Sequence, residues 1–372
     1  MQKKWNCLGL MSGTSGDGVD ASIISTNGIN QYESIKDKYF EYDSEIYKDI
    51  HNLKEKIHKP DHLKSYEKEI NSLERKITIF HAEIINKLNI SDDTIVGFHG
   101  QTIYHNPSEK ISKQLGNGKL LNQLTNKNIV YNFRSNDLLN GGQGAPLTPI
   151  FHQLIAKKKK INLPICFFNI GGISNITIVK SEDNTSGLTS KDIGPGNCLI
   201  DTWVRNNSNK KFDLDGKYAS TGTKNEIIFE QAQELYAYRN NKKKLSFDTN
   251  DFDISFVRGL NLEDGVATLT DFTASIIGQE LSLYIKKSKE KIQNILLCGG
   301  GRKNKVLIKK IKENLSSNIN IKLIDDYKID GDFIESQAFG FLAIRAVLQL
   351  PNSFPGTTGC KNPCTGGELI KN

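Results

Sequence analysis

The sequence predicts an α/β chain built from two similar domains that face a shared cleft. Three observations point there. At 372 residues the chain is long enough for about two domains, each burying its own core without disulfides or metal. An apolar run, a loop of Gly, Ser, Thr and Asp, and a second apolar run occupy residues 8–24, and the same pattern returns at 163–179. Alternating β and α segments follow each copy, as expected of a duplicated α/β domain. The division falls at 140/141: residues 1–140 form the first domain, 141–345 the second, and 346–372 return as a tail that packs on the first.

The formal net charge of +7 raises nucleic acid as a partner, but the charge distribution argues against it. The runs Lys157 to Lys160 and Lys242 to Lys244 are shorter than the roughly five or six like charges that mark an interaction tail, and no aromatics interleave with them. They read as solvated surface. No apolar stretch approaches membrane-spanning length, and the run before Met11 is too brief for a signal sequence, so the expected compartment is the cytoplasm. Of six cysteines, Cys7, Cys166 and Cys298 lie in or beside apolar runs and read as buried thiols. Cys360 and Cys364 lie in a Gly/Pro-rich tail without the second pair that a zinc site needs.

Taken in order, residues 8–24 predict a hairpin whose turn, Ser12-Gly13-Thr14-Ser15-Gly16-Asp17-Gly18-Val19-Asp20, is suited to an anion. Its glycines permit close backbone approach, so N–H groups and the hydroxyls of Ser12, Thr14 and Ser15 converge on phosphate oxygens. Asp17 and Asp20 make sense beside a phosphate if hydrated Mg²⁺ lies between them and the nucleotide. The competing reading is a plain Gly/Asp turn. The stretch is neither a Walker loop nor a Rossmann fingerprint, because no Gly-Lys-Ser/Thr follows and a strand comes next.

Residues 30–40 supply a third strand, and 43–88 predict two helices broken at Pro60. His58 and His62 flank that proline, which removes the geometry of a metal pair. Residues 94–98 form a strand ending in His99-Gly100-Gln101-Thr102, polar groups at the carboxyl end of a sheet, where open α/β sheets bind ligands. A strand at 129–133 leads to Arg134, Asp137 and the hinge-like segment 141–149, then a helix through His152.

In the second copy a strand at 163–169 leads through Gly171-Gly172 to a strand at 176–179. Asp192 and Asn197 stand before a helix whose buried face is Leu199, Ile200, Trp203 and Val204; the plain reading of Asp192 is a helix-entry residue near the dipole. A turn at Asp215 and a helix at 229–238 follow, and Asp248, Asp251 and Asp253 lie too far from any histidine cluster for a metal site. A long helix, 267–286, precedes the strand Asn294–Cys298, which runs into Gly299-Gly300-Gly301, bare backbone against which a flat ring or phosphate can lie. Glu335 opens the last helix, and from Pro351 the chain reads as an irregular tail.

Residues 11–20, His99 to Thr102, Phe133-Arg134 with 141–146, 169–175, 192–197 and 298–304 together resemble the anhydro-N-acetylmuramic acid kinases of the sugar kinase, Hsp70 and actin superfamily. The resemblance spans nearly the whole chain. It implies two actin-like (RNase H-like) domains flanking a nucleotide and substrate cleft, with ATP and Mg²⁺ as cofactors and a homodimer in the cytoplasm. The implied reaction opens the 1,6-anhydro bridge with water while O6 receives the γ-phosphoryl group, a step in amino-sugar recycling. Asp192 matches the catalytic aspartate and Glu335 a second active-site acid. Residues 12–20, Gly171, Gly172, Gly299, Gly300 and Gly301 fall to the nucleotide; His99, Gln101, Arg134 and Asn197 to the sugar; Asp17 and Asp20 to Mg²⁺ through water. Two residues depart from the family pattern: Gly16, where a bulky apolar residue is more usual, and Asn132, where an acid commonly precedes Phe-Arg. The alternatives are an ordinary sugar or acetate kinase, an actin- or Hsp70-like nucleotide switch, and the metal-containing carbamoyl-transfer branch.

Overall fold

The computed structural model describes residues 3–239, 247, 251–288, 291–316 and 318–372; Lys242 to Lys244 and Asp248 lie outside them. Its strands are β1 (Trp5–Ser12), β2 (Gly18–Thr26), β3 (Tyr32–Glu41), β4 (Ile95–Asn106), β5 (Ile111–Leu115), β6 (Asn128–Tyr131), β7 (Ile165–Ile170), β8 (Ile173–Val179), β9 (Leu188–Pro195), β10 (Asn294–Cys298), β11 (Asn320–Leu323) and β12 (Glu368–Ile370). Contacts divide the chain into two compact units, one of residues 1–163, 179–190 and 332–372, the other of 164–178 and 191–331. Residues 141–163 and the long helix near the C-terminus, Ile334–Val347, therefore group with the first unit, where the sequence division puts 141–345 in the second. No helix among the described residues is long and apolar enough to cross a membrane.

In the first unit β1, β2 and β3 form an antiparallel meander, and β4 and β6 extend the sheet on the other side of β1, parallel to it. Central β1 is buried on both faces, whereas β3, at the edge, is mostly exposed and carries Glu33, Lys36, Asp37 and Lys38. Charges on an edge strand discourage further pairing. The second unit repeats the order, β9-β8-β7-β10-β11, with β10 parallel to both β7 and β11. This duplicated arrangement gives the two α/β domains that the sequence predicts.

The helical segment after β3 forms three helices rather than two: Ser44–Lys56, Pro60–Ser65 and Glu67–Leu88. Pro60 starts a helix of its own because its missing N–H costs nothing in a first turn. Asp43 caps the first helix, accepting from the Glu45 and Ile46 N–H groups. Ile46, Ile50, Leu53, Ile70, Leu73 and Ile77 pack as their spacing predicts. His62 Nδ1 donates to the Lys56 carbonyl.

Two further differences bear on the site. The strand expected to end at Phe98 runs on to Asn106: around Gly100, at φ +76°, its register against β1 shifts, Gln101 still pairs with Ser12, and from Gln101 onward β4 pairs with β5. The tail ends as a strand, β12, antiparallel to β6. The helix Ile334–Val347 lies against β1 and β4 at a pair of facing glycines. Gly9 opposes Gly97 in the parallel register, and a Cβ on either would come within 1.8 Å of the Ser336 carbonyl oxygen or 2.3 Å of that of Phe339. Backbone thus rests on backbone one residue after Glu335.

In the second unit the helices Cys198–Asn207 and Leu262–Lys287 pack together where Gly265 leaves room for the Trp203 indole, whose N–H donates to the Leu262 carbonyl. Their core includes Phe168, Ile176, Leu269, Phe272 and Ile277.

Candidate active site

In the first unit, the loop between β1 and β2 is held from three sides. The Gly16 N–H closes a turn on the Gly13 carbonyl, and Gly16 sits at φ +68° with Ile50 so near that a Cβ would stand 2.9 Å from its methyl group. A bulky residue at this position has no room here. Buried Gln101 donates to the Gly13 carbonyl (2.9 Å), Lys54 to the Thr14 carbonyl (2.7 Å), and the Ser12 hydroxyl shares a 2.8 Å hydrogen bond with Tyr42. Gln101, expected to contact sugar, is thus a support for the loop. Tyr42, just after β3, and Lys54, on the helix Ser44–Lys56, which sequence reasoning missed, reach the loop from distant parts of the chain and leave no local signal.

The residues around the loop fit a divalent cation. Asp17 Oδ1 is buried without a hydrogen-bond partner, and Asp20 pairs in register with Tyr39. Burial, and then the charges of Asp17, Glu41 and Asp20, raise the Tyr39 phenol's pKa. Carboxylates gathered at an anion-binding turn are unfavourable unless a cation is shared between them and the anion, and Mg²⁺ needs only one or two protein ligands while keeping its waters.

A second group centres on Arg134. His99 is almost fully buried on β4; its Nδ1–H donates to the Gly100 carbonyl (2.7 Å), and its Nε2 accepts from Arg134 Nε (3.2 Å) and Nη2 (2.8 Å). Burial, and next the Arg134 charge, hold His99 well below its ordinary pKa, so it is neutral. Both ring nitrogens are engaged, which makes His99 a positioning residue for the guanidinium. Arg134 Nη1 donates to the Gly144 carbonyl (2.6 Å), and the Gly144 N–H donates to buried Asp137 (2.6 Å). The residue before Phe133 matters less: Asn132 spends its side chain on Glu368 and Ser135. Glu335 opens its helix near this group, since burial raises its pKa and the Arg134 charge opposes the rise. His99 also packs on Phe339 of that helix, ring centroids 4.6 Å apart.

In the second unit, Asp192 lies on β9, six residues before the first residue of the next helix, Cys198, and not at its entry as the plain reading has it. The residue is 6% exposed, and its Oδ2 accepts from the Phe247 N–H (2.8 Å). The Gly171-Gly172 turn is stitched to the start of the following helix: the Asn197 N–H donates to the Gly171 carbonyl, and those of Gly196 and Cys198 to that of Gly172. A Cβ on Gly301 would stand 3.0 Å from the Asn197 amide nitrogen, so Asn197, expected on the sugar side, groups with the glycine loops. Gly299 adopts φ +79°, with its N–H on the Gly331 carbonyl, while a Cβ on Gly300 would meet open space. Arg302 fixes this loop, donating to the Gly299 carbonyl and to Asp325 through two 2.8 Å bonds.

The family model for anhydro-N-acetylmuramic acid kinase matches residues 5–372. The chain belongs to the anhydro-N-acetylmuramic acid kinase family. Its relatives agree along their whole length. The anhydro-N-acetylmuramic acid kinase of Pelagibacter ubique is 55% identical over 376 positions, covering 100% of both chains. Those of Bradyrhizobium diazoefficiens and Rhodopseudomonas palustris are 35% and 36% identical, covering 98% of each chain. Every site residue described above falls inside the family match, and the membership favours none of the three alternatives over an anhydro-N-acetylmuramic acid kinase.

Proposed function

We propose that this chain uses ATP and water to convert 1,6-anhydro-N-acetylmuramic acid into N-acetylmuramic acid 6-phosphate and ADP. The observation that carries this reading is the family match over residues 5–372, which takes in every residue given a role below. Water adds to the anomeric carbon as the bond from that carbon to O6 breaks; the electron pair stays on O6, which takes the γ-phosphoryl group of ATP as ADP leaves. A glycosidase needs an acid to protonate the departing oxygen, but here phosphorus captures it. One base for the water is enough.

Asp192 takes the water's proton. One of its oxygens is held by a backbone N–H, which fixes the direction of the other. Arg134, oriented by His99 and the Gly144 carbonyl, is the partner for an anion, either the substrate's carboxylate or the phosphoryl group in transfer. Glu335 orients substrate or water beside it. The loop 12–20 offers its N–H and hydroxyl groups to the phosphates, with Asp17 and Asp20 placed for hydrated Mg²⁺, which would neutralise the charge spreading over the phosphoryl oxygens. Gly171, Gly172 and Gly299 to Gly301 give the nucleotide bare backbone to lie against. A reaction that draws on ATP belongs in the cytoplasm.

Mass spectrometry of a mixture of protein, Mg·ATP and the anhydro sugar tests this reading. The expected product is heavier than the substrate by a phosphoryl group plus one water, with oxygen from heavy-oxygen water at the anomeric position when the reaction is quenched early. A product heavier by the phosphoryl group alone, or ATP hydrolysis indifferent to the sugar, would overturn it.

A further inference from the structure

In the first unit, the returning tail brings two thiols to a carboxylate from another part of the chain. Cys360, Cys364 and Asp137 are all buried, and their Sγ and carboxylate oxygen atoms lie within 4.8 Å of one another. It is the one such cluster of three His, Cys, Asp or Glu groups among the described residues. Cys364 Sγ stands 3.8 Å from Asp137 Oδ1. Two ligands on a tetrahedral zinc ion, at bond lengths of about 2.0–2.3 Å, are themselves separated by roughly 3.3–3.8 Å, so this pair is spaced as two ligands of a shared ion, and Cys360 Sγ, within 4.8 Å of both, closes on the ion with a small rotation of its side chain.

We propose that Cys360, Cys364 and Asp137 form a structural site for a soft divalent cation, Zn²⁺ in the first instance. Two sulfur donors select zinc over Mg²⁺ or Ca²⁺, which prefer oxygen. The three-residue gap between the cysteines falls within the spacing of structural zinc ligands; the missing partner is an aspartate distant in sequence. Asp137 already accepts from the Gly144 N–H (2.6 Å) and the Thr358 hydroxyl (2.5 Å), and a carboxylate's four or so lone-pair sites leave it capacity for an ion. Binding displaces one proton from each thiol to solvent, and a water completes the tetrahedron. The ion would fasten the tail to the segment that anchors Arg134, reinforcing the Gln143 N–H bond to the Thr358 carbonyl and the Lys361 N–H bond to that of Asn140.

The test is metal analysis of the full chain made in zinc-supplemented medium and passed over a weak chelator, with a parallel preparation grown on cobalt. One zinc per chain is expected, and in the cobalt protein a near-ultraviolet thiolate-to-cobalt charge-transfer band with the intense visible bands of a tetrahedral ion. Both should vanish in Cys360→Ser/Cys364→Ser and persist in Cys198→Ser. Should the double variant not fold, the unaltered chain's stoichiometry and cobalt spectrum decide alone. Substoichiometric metal, cobalt bound without a thiolate band, metal kept by the double variant, or a Cys360–Cys364 disulfide in the peptide map of fresh protein would each overturn the proposal.

Discussion

Gly9→Ala is a single-methyl perturbation of the contact that sets the height of the helix Ile334–Val347 over the sheet. The added Cβ would meet the Ser336 carbonyl oxygen at 1.8 Å and the Gly340 nitrogen at 2.5 Å, both backbone atoms that no rotamer change can move. Restoring an ordinary separation of about 3.2 Å requires the helix to shift by roughly 1.4 Å, and Glu335 precedes Ser336 on it. Overpacking of this kind costs about 1–3 kcal/mol, a fraction of a typical domain stability of about 5–15 kcal/mol, so the variant should fold. Its chemistry should suffer more, because a misplacement near 1 Å can cost about 100-fold in rate. The expected result is a lowered urea midpoint and kcat/KM down about 100-fold, with Gly340→Ala as the control, whose nearest contacts of 3.3 Å are far milder. Urea denaturation and coupled ADP release measure the two. A Gly9→Ala protein with the stability and kcat/KM of the unaltered chain would refute the role assigned to the facing glycines, and one that is destabilised yet fully active would detach Glu335 from the chemistry.

Asp192→Asn should bind nucleotide as before and lose at least ~100-fold in turnover, the scale of a lost general base; near-normal single-turnover rates would place the base elsewhere. Asp17→Asn should raise the Mg²⁺ concentration needed for half-maximal activity while leaving folding intact, read from a magnesium titration; an unchanged titration would remove Asp17 from the cation. Burial lowers the pKa of His81 to about 4 and of His152 and His105 to about 3, the last with help from Arg134. Because these folded-state values lie below the ordinary 6.5, the unfolded chain binds more protons beneath that pH, and the stability the histidines contribute, fully present above it, is lost as pH falls. Each should cost ~2 kcal/mol between pH 7 and pH 5. The difference between the urea midpoints at the two pH values should therefore narrow in His81→Gln, with His105 and His152 keeping the rest of it, and an unchanged difference would contradict a neutral, buried His81.

Much of the site was legible because its chemistry is local. The residues 12–20 need glycine and small hydroxyl side chains in one turn, and the turn at Gly299 to Gly301 needs glycine at Gly299, at positive φ, and at Gly301, pressed against Ile170. Such constraints are written into consecutive residues. What escaped were the supports that arrive from elsewhere: Lys54 and Tyr42 on the first loop, Asp137 under Gly144, and the role of His99, whose Nδ1 is fixed on the Gly100 carbonyl so that Nε2 holds Arg134. The end expected for β4 at Phe98 was misplaced because polar residues look like a strand end. Only the hydrogen-bonded partner, β5, shows that the strand continues.

Taken by itself, the sequence determined the duplicated strand-loop-strand pattern, the helical faces and the family, since periodicity and turn chemistry depend on neighbours in the chain. Tertiary structure alone decided that Glu335 lies in the unit of Arg134, that Gly9 and Gly97 hold its helix at contact distance, and that Asp137 meets Cys360 and Cys364. Each of these joins residues far apart in the chain, and no local energy term records such a meeting until the sheet and its helices have packed.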